Sequence, residues 1–199
     1  MDYQKVGQLI AQLRREKGLT QRQLAERLHI SNKTVSKWEC GQGCPDLSLW
    51  DGLCAQLGAD LHKLLQGELS PNRPDVGKLD RTRFYVCPVC GNILISTGRA
   101  SLSCCGRKLS PLTGAPCTEE HRPSVRESDI DYYVTFPHPM EKDHFIAFAA
   151  HVHDNKVLLV RLYPEQGAEV RLPMTGRDGT LYLYCTKHGL QSCPFPDRG

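Results

Sequence analysis

The chain has 199 residues, 40% hydrophobic and 24% charged, with a net charge of +3. That is the composition of an ordinary folded chain long enough for two or three domains; the near balance of charge excludes a uniformly basic nucleic-acid coat, and the longest apolar run, 145–150, is far too short to cross a bilayer. The N-terminal residues show no basic segment followed by an apolar one, so the expected location is the cytoplasm, where ten cysteines and eight histidines read as metal ligands or redox groups rather than as five disulfides.

The first segment reads as helical. Val6, Leu9, Ile10 and Leu13 recur at the spacing of one apolar helix face, and Gly18 is placed to end that helix. Thr20 and Gln23 have the spacing of a capping box for a second helix, whose inner face is Leu24, Ala25 and Leu28. Ser31 caps a third helix, 32–39, with Val35 and Trp38 inward and Asn32, Lys33, Ser36 and Lys37 outward. Trp50, Leu53, Cys54 and Leu57 predict a fourth helix, and Leu61, Leu64 and Leu65 a fifth. Between Met1 and Pro45, eight basic residues face four acidic ones, so the positive surplus of the chain is local to this segment.

Two short helices joined by a tight turn, the second polar on its outer face, make a helix-turn-helix. The string Thr20-Gln21-x-x-Leu24-Ala25 through Ser31-x-x-Thr34-Val35-Ser36-x-Trp38-Glu39-x-Gly41 resembles the phage-repressor type of DNA-binding domain. The resemblance implies a five-helix bundle over residues 1–68 that binds a double-stranded DNA operator as a homodimer, with the third helix in the major groove. By position, Asn32, Lys33 and Lys37 would read bases, and Thr20, Gln21 and Ser36 would contact phosphate. His29 stands in the turn where many such domains have glycine, and histidine tolerates positive φ.

Residues 69–83 read as a linker, with Ser70-Pro71-Asn72-Arg73-Pro74-Asp75-Val76-Gly77 rich in turn formers. Short β-like runs follow, around Cys87-Pro88-Val89-Cys90-Gly91 and Cys104-Cys105-Gly106. Four thiolates at one point favour tetrahedral zinc or a single iron. The second pair lacks the usual two-residue spacer, and adjacent ligands would distort a tetrahedron. Cys87-x-x-Cys90 with vicinal Cys104-Cys105 resembles the small domain of desulforedoxin and desulfoferrodoxin, here over 84–115. That resemblance implies iron on four cysteines and a tendency to dimerise; the ligands alone leave iron or zinc open.

The remainder, 116–199, reads as β-structure. Strand-like runs at 132–136, 145–149, 156–162, 168–172 and 180–185 are separated by turns such as His153-Asp154-Asn155 and Arg177-Asp178-Gly179, which suggests a β-sandwich. The strings Glu119-Glu120-His121-Arg122-Pro123, Pro137-His138-Pro139-Met140-Glu141-Lys142-Asp143-His144 and Cys185-Thr186-Lys187-His188-Gly189 resemble the superoxide reductase domain of neelaredoxin and desulfoferrodoxin. The resemblance implies an immunoglobulin-like sandwich and an iron site with His121, His138, His144 and His188 in a plane, Cys185 below it and the sixth position open to superoxide, as signal or as substrate. It assigns Glu119 the glutamate that can cap the oxidised iron. A rubredoxin-like protein would donate electrons. The family places lysine before its first histidine ligand; this chain has Glu120, and a carboxylate there repels an anion. Lys142 or Lys187 could compensate.

Other residues read more plainly. His151 and His153 alternate on a strand and are expected at the surface. Cys54 reads as a core residue, Cys40 and Cys44 as loop thiols with a redox disulfide as the alternative, and Cys117 and Cys193 carry no assignment.

Overall fold

The protein is described by a computed structural model covering residues 1–74, 81–174 and 179–195. Residues 75–80 of the expected linker, and Arg177 and Asp178 of the expected turn, lie outside those residues. The chain divides into two compact units, Met1–Pro71 and Asn72–Gly199.

The first unit is helical: α1 (Tyr3–Glu16), α2 (Gln21–Arg27), α3 (Asn32–Glu39), α4 (Trp50–Leu57) and α5 (Leu61–Gln66). Side-chain oxygens of Asp2, Thr20, Ser31 and Asp60 accept hydrogen bonds from backbone N–H groups in the first turns of α1, α2, α3 and α5. Thr20 and Gln23 form the full capping box. His29 adopts φ 55°, so the turn between α2 and α3 uses the left-handed conformation that its position demands. Ile10, Leu24, Val35, Leu53 and Leu64 are fully buried in one core with Trp38 and Trp50. Gly7 lets α1 approach α3 closely: a Cβ there would overlap the carbonyl oxygen of Trp38. Cys54 is half-buried against this core, and Cys40 and Cys44 are free thiols.

The second unit is built of β-strands. The hairpins β1 (Arg83–Val86)–β2 (Ile93–Ser96) and β3 (Leu102–Cys104)–β4 (Arg107–Leu109) come first. Then follow β5 (Ala115–Pro116), β6 (Ser124–Ser128), β7 (Asp131–Thr135), β8 (Ile146–His153), β9 (Lys156–Arg161), β10 (Glu169–Pro173), β11 (Thr180–Cys185) and β12 (Gly189–Pro194). They form a three-stranded sheet, β10-β7-β6, and a five-stranded one, β5-β12-β11-β8-β9. Val134, Val170 and Leu172 of the first sheet and Ile146, Ala149, Leu181 and Leu183 of the second share one buried cluster. The other face of the large sheet packs Phe148, Ala150, Val152 and Leu190 against Phe84 of β1.

One sequence expectation is corrected here, and one pair left without assignment is placed. His151 and His153 are buried, at 0% and 3% exposure, because β8 is an inner strand covered on both faces. Their rings stack on each other, and His151 also stacks on Phe195. Cys117 and Cys193 form a disulfide. In addition, β8 carries one residue more than β11 opposite it: Tyr184 pairs with Phe148 but Cys185 with Ile146, so Ala147 is the extra residue of a bulge. No helix among the described residues is long and apolar enough to cross a membrane.

Candidate functional sites

On the helical unit, Asn32, Lys33 and Lys37 are exposed along α3 and Ser36 is half-buried, while Val35 and Trp38 face the core. Thr20 is exposed, but its hydroxyl is occupied in capping α2. Gln21 turns its amide inward and donates to Glu39 Oε2 at 2.8 Å. The same carboxylate receives Arg14 from α1 at 2.5 and 3.0 Å, and Arg14 also donates to the Leu19 carbonyl. This network joins α1, the start of α2 and the end of α3. It links residues 25 apart, which no local pattern displays.

The four cysteines Cys87, Cys90, Cys104 and Cys105 come together with all sulfurs within 4.8 Å of one another. The first pair sits on the turn between β1 and β2, closed by Gly91 N–H donating to the Cys87 carbonyl at 2.9 Å. The vicinal pair is made possible by the hairpin β3–β4. Its two-residue loop is Cys105-Gly106, with φ 50° and 71°, the positive values of a type I′ turn. That turn brings both neighbouring sulfurs to one point. Cys90 and Cys104 sulfurs are 3.6 Å apart and those of Cys104 and Cys105 4.0 Å, close to the edge of about 3.8 Å for a tetrahedron with metal–sulfur bonds near 2.3 Å. Backbone N–H groups of Cys90 and Val89 point at Cys87 and hold its thiol down at about 6. Crowding by the sulfurs of Cys90, Cys87 and Cys104 pushes Cys105 up to about 12. One thiol is thus readily ionised while Cys104 and Cys105 resist further negative charge, and a cation at the centre relieves that opposition.

The second cluster joins loops from three parts of the sheets. His121 sits on the turn after β5, His138 and His144 between β7 and β8, and Cys185 and His188 on the β11–β12 hairpin. Ligand atoms of His121, His138, Cys185 and His188 lie within 4.8 Å of one another. The ring of His144 lies 4.7 Å from His138 and 4.9 Å from His188. Thr118 Oγ1 holds His121 Nδ1 at 2.7 Å, leaving Nε2 facing His188 Nδ1 at 3.3 Å. His138 Nδ1 donates to the Pro139 carbonyl, which leaves its Nε2 as a lone pair. The Nε2 atoms of His138 and His144 are buried and have no hydrogen-bond partner. Burial, and then the charges of His138 and His188, pull His121 down to about 4, so its imidazole is neutral at pH 7. Burial also lowers His138. Convergent imidazoles, two of them buried with their charged forms disfavoured, beside a thiol are the donor set for a transition-metal ion.

A cleft beside this cluster is lined by Thr118, Glu119, Glu120, His121, His188 and Gln191. Both glutamates are exposed, and Glu119 pairs with Arg122 at 2.8 Å. Lys142 lies 3.8 Å from Glu165, and Lys187 lies 3.6 Å from Asp143. Sequence reasoning passed over Gln191, buried on β12, because a glutamine in a β-run carries no motif.

Comparison with known proteins divides the chain at the same place. A family model described as helix-turn-helix matches residues 10–64. The HTH-type transcriptional activator BcrR of Enterococcus faecalis is 41% identical over 59 residues, 30% of this chain and 29% of that protein. The remainder aligns with the desulfoferrodoxin of Syntrophotalea carbinolica, 29% identical over 121 residues, 57% of this chain and 96% of that protein. It also aligns with the desulfoferrodoxin homolog of Archaeoglobus fulgidus, 30% identical over 116 residues, 54% of this chain and 93% of that one. The superoxide reductase structure from Treponema pallidum has the same fold over 56% of this chain and 95% of its own, with TM-score 0.50 and 21% identity. The β-rich part is therefore a desulfoferrodoxin module and the helical part a helix-turn-helix domain. The chain belongs to the desulfoferrodoxin family, with a DNA-binding domain fused in front of the module.

Proposed function

We propose that the chain is a redox- or superoxide-responsive transcriptional regulator. In this reading residues 1–68 bind an operator as a homodimer, with Asn32, Lys33 and Lys37 toward the bases and Thr20 and Ser36 toward the backbone, while the Gln21 side chain, expected on phosphate, is committed to Glu39 instead. The segment 84–115 holds iron or zinc on its four cysteines. The sandwich 116–199 holds iron on His121, His138, His144, His188 and Cys185. Bound there, iron supplies one-electron redox chemistry. The protein's part is to bury His121 and His138, which favours their neutral forms, and to aim their rings through Thr118 and the Pro139 carbonyl.

The observation that favours sensing over turnover is the lining of the cleft. It presents Glu120, with Glu119 paired to Arg122, and Lys142 and Lys187 lie against Glu165 and Asp143. A negative mouth slows the arrival of an anion, which a sensor tolerates and a fast enzyme does not. The test is operator affinity of the full chain, with DNA selected from a random pool, in reduced and oxidised protein at one salt concentration. A reproducible difference supports the reading, and equal affinities overturn it.

A second reading, a superoxide reductase carrying an accessory DNA-binding domain, is supported by the family of the β-rich module. Here Glu119 and Glu120 stand at the reaction face and a rubredoxin-like protein supplies the electron. Rapid mixing of the reduced protein with superoxide separates the two readings.

A further inference from the structure

The disulfide lies beside the histidine cluster and ties down the segment that brings His121 to it. Cys117 precedes His121 by four residues, and Cys193 follows His188 by five. β5, just before Cys117, is only two residues long and joins the edge of the large sheet through Ala115 opposite Gln191 and Pro116 opposite Ser192. The Cys117 N–H adds one hydrogen bond, to the Ser192 carbonyl at 3.1 Å. Beyond it, Thr118, Glu119 and Glu120 are exposed. Cys193, by contrast, is 1% exposed within the core between the sheets, and its sulfur lies 3.9 Å from the carbonyl oxygen of His121. The cross-link thus fastens a thin edge segment to a well-anchored strand at the place where His121 must be held.

We propose that Cys117–Cys193 is a reversible redox site whose partner is a protein or small-molecule dithiol, and that its reduction loosens the metal held by His121. Cys117, half-buried where Cys193 is buried, is the sulfur attacked in this scheme. A thiolate of the dithiol bonds to the Cys117 sulfur, the Cys117–Cys193 bond breaks, and Cys193 leaves as a thiolate that takes up a proton. The second thiol of the donor then attacks the mixed disulfide and frees Cys117 as a thiol. Two electrons and two protons have passed to the pair, and the donor has become a disulfide. In the reduced chain the His121 turn keeps its contact with the sheet edge but loses its covalent tie to the core. The inference rests on reading the histidine–cysteine cluster as an iron site.

The test uses the full chain loaded with ferrous iron without oxygen. One portion is treated with dithiothreitol under native conditions and then freed of it. Alkylation and mass spectrometry count the thiols at Cys117 and Cys193, and ferrozine reads iron release. The expected results are reduction of the pair in folded protein and release faster by about tenfold, the lower end of what losing an orienting contact costs a metal site. Cys117→Ser with Cys193→Ser should release iron at the fast rate with or without dithiol. If that variant does not fold, the comparison of oxidised and reduced native chain decides alone. A pair that stays oxidised until the protein unfolds, or equal release from both forms, overturns the inference and leaves the functional reading standing. Absence of iron at the cluster removes both.

Discussion

Arg14 and Glu39 face each other in a two-point ion pair that fastens α1 to the end of α3, with side chains 9% and 5% exposed. Gln21 completes it. The helix that carries Asn32, Lys33 and Lys37 is therefore positioned by a polar bond beneath it as well as by Val35 and Trp38. Removing one partner leaves a buried charge alone, and Arg14→Ala should lower stability by about 3 kcal/mol. Urea unfolding followed by helical circular dichroism checks this.

The same pair predicts a pH dependence. Burial raises the Glu39 carboxyl, but hydrogen bonds from Arg14 and Gln21 and the charges of Arg14 and Arg15 together outweigh it, and the net shift is downward. A carboxylate lowered in the folded state stabilises above its unfolded pKa, and that stability is lost as pH falls through the folded value. The stability gap between wild type and Glu39→Gln should be full at pH 7 and close on acidification below the ordinary carboxylate range. Melting temperatures of both proteins across that range measure it.

On DNA, the exposed residues of α3 should separate by role. Lys33→Ala and Lys37→Ala, which lose a charge as well as a base contact, should each cost about 1–3 kcal/mol, relax specificity at one base position and lower the salt slope. Asn32→Ala should cost about 1–3 kcal/mol at one base position and leave the slope unchanged. Binding isotherms at several salt concentrations give both quantities.

Cys185→Ser should remove the visible absorption of a thiolate–imidazole iron site while leaving that of the four-cysteine site, because the two clusters share no ligand. Loss of both bands together would show that the sites are not independent.

Glu120→Lys should speed the reaction of reduced protein with superoxide by on the order of tenfold at low salt, the gain shrinking as salt screens it. Stopped-flow oxidation of the iron reads the rate. An unchanged rate would remove the electrostatic argument drawn from the cleft.

Much of the architecture is legible locally. Ser31 to Glu39 marks α3 by cap and period, and the Thr20–Gln23 spacing marks the start of α2. The cysteine and histidine strings pick out residues that the fold brings together, since ligand spacing is written into short loops. What stays hidden is long-range. Arg14–Glu39 spans 25 residues and Cys117–Cys193 spans 76. His151 and His153 look like alternating surface residues because strand periodicity reports a face but not whether another layer covers it. β12 is masked by Gln191, Ser192 and Pro194, which break the β-branched pattern of a strand.

The extra Ala147 has a consequence for how this module tolerates change. The stretch bearing His144 and the stretch bearing Cys185 are phased against each other by that single residue. Deleting Ala147 would preserve every candidate ligand and both neighbouring hairpins and would leave Ile146 opposite Cys185 in a regular ladder, but it would remove the local bend and added twist that the bulge gives the strand end leading back to His144. The loop at Asp154 and Asn155 should accept insertions without reaching the histidines, whereas a change of length at the β8 bulge re-aims the strand end that carries the chain to His144.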